Sequence, residues 1–183
     1  MIQHLVVVLS EKPHWLYFMA EAPMGIRWRE IAFQLEPDIA QAAARAWSWL
    51  LPEPWAPLVC SMVGGMFVER PNNAVHCLDT GTGLAEQVAH SRTDFEEMIR
   101  TAPDLVNEWF LPPLVERLHA AGKKPKVGEC YGFTILPAFA EGKFDVENMF
   151  VVPVSEQFVG MADIHRRLSE LSDGSRVRLK VID

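Results

Sequence analysis

The segment CLDTGTG, residues 77–83, sets an apolar-leaning pair before Asp79-Thr80-Gly81-Thr82, which is how aspartic proteases present a catalytic aspartate. In those enzymes two carboxylates share one proton and polarise a single water, so Asp79 would need a second copy of the motif or a homodimer. The chain contains no second copy. The stretch FVGMAD, residues 158–163, mimics the apolar-apolar-Gly segment of dimeric proteases, but its spacing predicts an amphipathic helix. Glycines in a Thr-Gly-Thr-Gly turn admit positive φ, so a hairpin between two strands accounts for the same residues.

A second chemistry would use Cys130 or Cys77 as thiolate and His76 or His165 as base, since such groups meet in space rather than in sequence. The ordinary alternative is burial. Cysteine is among the residues most often found inside, and His165 falls in an apolar helical stripe suited to a hydrogen-bonded core imidazole. The six histidines are dispersed, with no HExxH and no paired His-x-x-x-His, so no metal site is expected. DVEN, residues 145–148, lacks the glycine and ligand spacing of a calcium loop, and neither GTG nor VGG has the arrangement of a phosphate loop. No cofactor is expected. Trp47, Trp49 and Trp55 could form a ligand platform, but beside an Ala-rich helix they read as packing residues.

These residues need elements to position them. In EPDIAQAAARAWSWLL, Ile39, Ala42, Ala43, Ala46 and Leu50 follow helical spacing, with Pro37-Asp38 at the start and PEPWAP as the stop. LVCSMVGGMFVERPNNAVHCLDTGTGLAEQVA predicts a meander of two or three strands turned at Pro-Asn-Asn and Thr-Gly-Thr-Gly. SRTDFEEMIRTA predicts a short helix capped by Ser91, with Phe95, Met98 and Ile99 on one face. Pro112-Pro113 divides the next helical stretch in two, Pro113 being tolerated in the first turn of the second helix, which Gly122 stops.

Toward the end, Phe158, Met161, His165 and Leu168 recur at helical spacing, with Ser155 as the expected cap and Asp173-Gly174 as the stop. SRVRLKVI then alternates as a half-exposed strand. Near the start, HLVVVL and HWLYFMA are too short for periodicity to separate strand from buried helix. Strands and helices in groups, without βαβ alternation, predict an α+β fold: a single domain whose small, mainly antiparallel sheet is packed by several helices. Residues 1–44 form an unassigned N-terminal segment of the same globule, and 45–183 the main α+β domain.

With 183 residues and 49% hydrophobic content the chain can bury a sizeable core. Its formal charge of −7 argues against a phosphate-backbone binder, which needs a basic footprint, and suits a basic protein partner. Three scattered cysteines are too few for a disulfide framework and fit a reducing compartment. No stretch approaches the roughly 20 apolar residues of a membrane span, and no basic region precedes LVVVL, so a soluble, cytoplasmic protein is expected.

The stretch GECYGFTILPAFAEGKFDVENMF, residues 128–150, continued to Val177, resembles the C-terminal domain family of type VI secretion immunity proteins that protect bacteria from DNase toxins. The resemblance spans roughly residues 45–180. Its specific points are Leu78-Asp79-Thr80 with Gly83, Ser91 with Phe95, Cys130-Tyr131-Gly132, Pro137, Gly142, Glu147-Asn148, and Ile164-His165 before Asp173-Gly174. Two departures stand out. Family members usually show a glycine pair where this chain has Ala140-Glu141-Gly142, and many carry a larger N-terminal domain that the first 45 residues do not clearly match.

The resemblance implies a non-catalytic domain in which Asp79 belongs to a hairpin and the polar residues of the 128–150 stretch shape the fold. The implied role is an immunity or antitoxin-like protein that neutralises a cognate toxin, a basic nuclease, by stoichiometric binding, without touching nucleic acid or membrane itself. Candidate contacts are the acidic residues Asp94, Glu96 and Glu97, and Glu141, Asp145 and Glu147. The competing readings are a hydrolase using Asp79 in a homodimeric dyad or Cys130 with a histidine, and a structural module with no toxin partner.

Overall fold

The computed structural model describes residues 25–52 and 54–172. The two early apolar runs, the Asp173-Gly174 stop and the alternating strand after it lie outside the described residues. A one-turn helix α1 (Trp28–Ile31) leads into strand β1 (Ala32–Phe33) and helix α2 (Pro37–Ala46). Strands β2 (Ala56–Ser61), β3 (Gly65–Glu69), β4 (Val75–Asp79) and β5 (Leu84–Ala89) follow. Helices α3 (Arg92–Thr101), α4 (Pro103–Phe110) and α5 (Pro112–Ala120) come next, then β6 (Glu129–Phe133) and β7 (Met149–Pro153). A π-helical turn (Glu156–Gly160) runs directly into α6 (Met161–Ser169).

Strands β1 to β5 form an antiparallel sheet in chain order, and β6–β7 a separate antiparallel pair. The pair is tied to the sheet where Tyr131 N–H donates to Met62 O at 2.9 Å. This is the expected α+β domain, but the meander has four strands rather than two or three. The extra turn is Met62-Val63-Gly64, set within the mainly apolar run LVCSMVGGMFV and made possible by Gly64 at φ 106°.

That run is apolar because the sheet is covered on both faces. On β3, Phe67 joins Phe95, Ile99, Phe110 and Leu118 of α3 to α5, while its neighbours Met66 and Val68 join Trp47, Phe158 and Ala162 on the opposite side. Rings tighten the first face: Phe67 lies 4.9 Å from Phe95 and 5.4 Å from Phe110. Ile26, Trp28 and Ile31 extend the same core.

Local chemistry sets the helix boundaries. Ser91 Oγ accepts from Asp94 N–H at 3.1 Å, capping α3. Leu111, forced left-handed at φ 47° between Phe110 and Pro112, separates α4 from α5 where the proline pair predicts a break. Ser155 differs from expectation. Its φ of −62° and ψ of −37° are already helical, and its side chain makes no capping bond. The chain instead begins this helix with the π-helical turn, whose Phe158 carbonyl accepts from Trp47 Nε1–H at 2.8 Å. Trp47 is wholly buried and Trp49 stacks on it, which settles their role as packing residues.

Candidate functional site

The β4–β5 hairpin concentrates the residues with apparent catalytic character. Asp79 ends β4, and both carboxylate oxygens hold the turn: Oδ1 accepts from Gly81 N–H at 2.8 Å, Oδ2 from Thr82 Oγ1–H at 2.9 Å. Asx-type closure of this kind is what an aspartate does in a turn. Thr80 is buried; its Oγ1–H donates to Gly64 O at 2.8 Å while Oγ1 accepts from Gln157 Nε2–H at 2.8 Å. His165, only 3% exposed, bonds Thr80 O through Nε2 at 2.9 Å. A carbonyl can only accept, so Nε2 carries the proton.

Burial lowers the imidazole's affinity for a second proton, partly offset by the Thr80 carbonyl and the Asp79 carboxylate. The ring of Trp47 lies 5.8 Å from it. Gly83, at φ 72°, has no room for a side chain: a Cβ would sit 2.3 Å from His165 Nδ1. The hairpin, the β2–β3 turn, the π-helical turn and α6 are thus locked together by one satisfied polar cluster.

The 128–150 stretch resolves in the same way. Burial pushes the Cys130 thiol up to about 12, and burial with the Asp79 and Glu86 carboxylates does the same to Cys77. Cys60 is raised by burial as well. Such thiols are protonated at neutral pH, whereas a nucleophile needs the thiolate. Tyr131 buries its ring and donates its hydroxyl to Lys123 O at 2.7 Å. A Cβ on Gly132 would meet Val152 at 2.9 Å and Gln157 at 3.0 Å, so glycine relieves a real crowding. Asn148 bridges the loop between β6 and β7, accepting from Ile135 N–H at 2.8 Å and donating to Ile135 O at 2.7 Å and Lys143 O at 2.8 Å. Among the described residues no group of three or more His, Cys, Asp or Glu could hold a metal ion.

The six acidic candidates fall on two elements that no ion pair joins. On α3, Glu96 pairs with Arg92 at 2.8 Å and Glu97 pairs with Arg100, while Asp94 is exposed in the first turn. In the loop, Asp145 is half-buried and accepts from Asn148 N–H at 2.8 Å, while Glu141 and Glu147 are exposed without an ion pair among the described residues.

Sequence spacing did not reveal a further feature. An open groove of about 440 Å³ lies between α2 and the π-helical turn, lined by Asp38, Ile39, Ala42, Glu156, Val159 and Gly160 among others. One inserted helical residue gives no sequence signal.

No helix among the described residues is long and apolar enough to cross a membrane. No curated protein matches the chain. Its fold is similar to that in the crystal structure of Atu4351 from Agrobacterium tumefaciens, with a TM-score of 0.53, 18% identity, and coverage of 81% of this chain and 74% of that one. At that identity the likeness concerns the fold. Residues 89–165, from the end of β5 to His165 of the locked cluster, match the family described as T6SS immunity protein Tdi1, C-terminal.

Proposed function

We propose that this chain is an immunity protein that binds a cognate toxin stoichiometrically in the cytoplasm and silences it, the toxin being a basic nuclease delivered by a type VI secretion system. The observation that carries the reading is the family match over residues 89–165. The electrostatics support it. A nuclease presents a basic groove to DNA, and a protein of charge −7 meets it with steered, fast association. Of the acidic candidates, Glu141 and Glu147 are the better contacts, because the arginines of α3 already compensate Glu96 and Glu97. We also place the described part of the N-terminal segment, residues 25–44, in the same globule, supported by the packing of Ile26, Trp28 and Ile31 into the core and the pairing of β1 with β2.

The role is a binding one, supported by protonated thiols and by an Asp79 whose oxygens are committed to its own turn. The test is DNA cleavage by the toxin encoded next to this gene, with this protein added at increasing molar ratio. Suppression that saturates at equimolarity, with a complex stable in gel filtration, is the expected outcome. A toxin that cleaves undisturbed and does not co-elute defeats the reading. Asp79→Asn separates the hydrolase alternative: it alters stability here, whereas a protease would keep its fold and lose activity.

A further inference from the structure

We propose that the groove between α2 and the π-helical turn receives an arginine or lysine side chain from a basic protein partner; it rests on the reading above in taking that partner to be the toxin. The groove's chemistry matches one kind of occupant. Ile39, Ala42 and Val159, each half-buried, offer an apolar floor, while the exposed Asp38 and Glu156 stand at its edge. Among the described residues no Lys, Arg or His lines it and neither carboxylate forms an ion pair. A long basic side chain lays its methylenes on apolar surface and carries its charge to the rim. An apolar occupant would strip water from two carboxylates without replacing it, and an acidic one would be repelled.

The walls are fixed before anything binds. Trp47, just beyond α2, donates to the Phe158 carbonyl at 2.8 Å, anchoring the π-helical turn to the end of that helix. Such turns recur at functional sites because the extra residue displaces the backbone locally. A surface held in place before binding loses little conformational freedom when a partner docks. Asp38 has an independent structural use, favouring the helix N-terminus. Glu156 stands likewise in the first turn of the π-helical segment, so what the proposal explains is the placing of both carboxylates, without an ion pair among the described residues, beside one apolar floor.

Gly160 permits a clean test. Its φ of −63° and ψ of −33° are helical, and an added Cβ would meet nothing within 4 Å, so Gly160→Leu obstructs the groove while sparing the core. Methyl NMR of Ile39, Ala42 and Val159 is followed while acetyl-Gly-Arg-Gly-amide is titrated, with the norleucine analogue as control. Saturable shifts with the arginine peptide, weakened by salt and lost in both Gly160→Leu and Asp38→Asn/Glu156→Gln, are expected. No shift, equal response to norleucine, or unchanged binding by both variants overturns the proposal. So does a concentration-dependent shift without peptide, which would place a second copy of this chain there.

The toxin supplies the second arm. Gly160→Leu is expected to weaken toxin affinity about ten-fold, the loss of one well-seated contact, with Gly160→Ala as a folded reference. If wild type and Gly160→Leu neutralise the toxin equally, the groove assignment fails and the immunity reading stands. If wild type does not bind the toxin at all, the immunity reading fails, and the peptide titration alone decides the groove.

Discussion

The β4–β5 hairpin and the α2 groove both gather polar side chains but leave them in opposite states. At the hairpin, Thr80, Gln157 and His165 are buried and each has a partner within 2.9 Å. At the groove, Asp38 and Glu156 are exposed over an apolar floor and have no ion pair among the described residues. Buried polar groups are tolerated only when satisfied, and once satisfied they fix one arrangement of the chain. Exposed unpaired charge contributes little to folding and remains available to a partner. Residue types that suggest catalysis therefore hold the fold, while the carboxylates left accessible to a partner lie among residues that look like helix punctuation.

The comparison breaks most readily at Gly83. Gly83→Ala forces a Cβ to 2.3 Å from His165, whereas Gly122→Ala, also at positive φ, meets nothing within 4 Å. Urea unfolding should show a loss of about 4 kcal/mol for the first, in the range of steric disruption of a core. The second should lose about 1–2 kcal/mol, the left-handed penalty alone. Equal losses would mean that the hairpin and α6 are not locked together.

Asn148 tests the same logic in the 128–150 stretch. Asn148→Ala removes the three bonds to Ile135 and Lys143, and at about 1 kcal/mol each should lower stability by about 3 kcal/mol in urea unfolding. Toxin binding by the remaining folded protein should be unchanged. A selective loss of binding with unchanged stability would instead make Asn148 a contact residue.

A smaller effect is expected from pH. In the unfolded chain His165 takes up a proton near 6.5, but in the folded chain burial delays uptake to lower pH. Between those points the unfolded state binds more protons, so stability is full above the unfolded value and declines as pH falls. His76 and His119 are lowered by burial too and act with the same sign. The decisive measurement is therefore a difference: the unfolding free energy of His165→Gln should depend less steeply on pH below 6.5 than that of wild type. Parallel curves would show that His165 is not the buried neutral imidazole described.

Much of this fold is legible in the sequence because the signals are local. Ser91, the Pro112-Pro113 pair and the Thr-Gly-Thr-Gly turn each act through backbone geometry within a few residues. Helix α2 is legible from its apolar period. The turn at Met62-Val63-Gly64 is not, because a strand covered on both faces loses the alternation that marks where it ends. Gln157 and Thr80 are 77 positions apart, and no spacing rule joins them. Of the candidate contacts, the acidic residues are visible as types, but whether an arginine already compensates them depends on side-chain geometry. The groove depends on a π-helical turn that sequence periodicity reads as ordinary helix.

That last distinction gives the smallest predicted effect. Glu97→Gln and Glu147→Gln each remove one negative charge, so the long-range attraction of a basic toxin weakens equally and the association rate should fall about two-fold or less in both. The local consequences differ. Glu97 is held by Arg100, so its loss subtracts little from any contact, whereas Glu147 is exposed and has no ion pair among the described residues. If the loop before β7 touches the toxin, Glu147→Gln should raise the dissociation rate about three-fold, the worth of an exposed pair, and Glu97→Gln should leave it unchanged. Surface plasmon resonance separates the two rates. Equal dissociation rates would confine the loop's acids to steering; a larger effect at Glu97 would show that Arg100 releases it on binding and that α3 faces the partner.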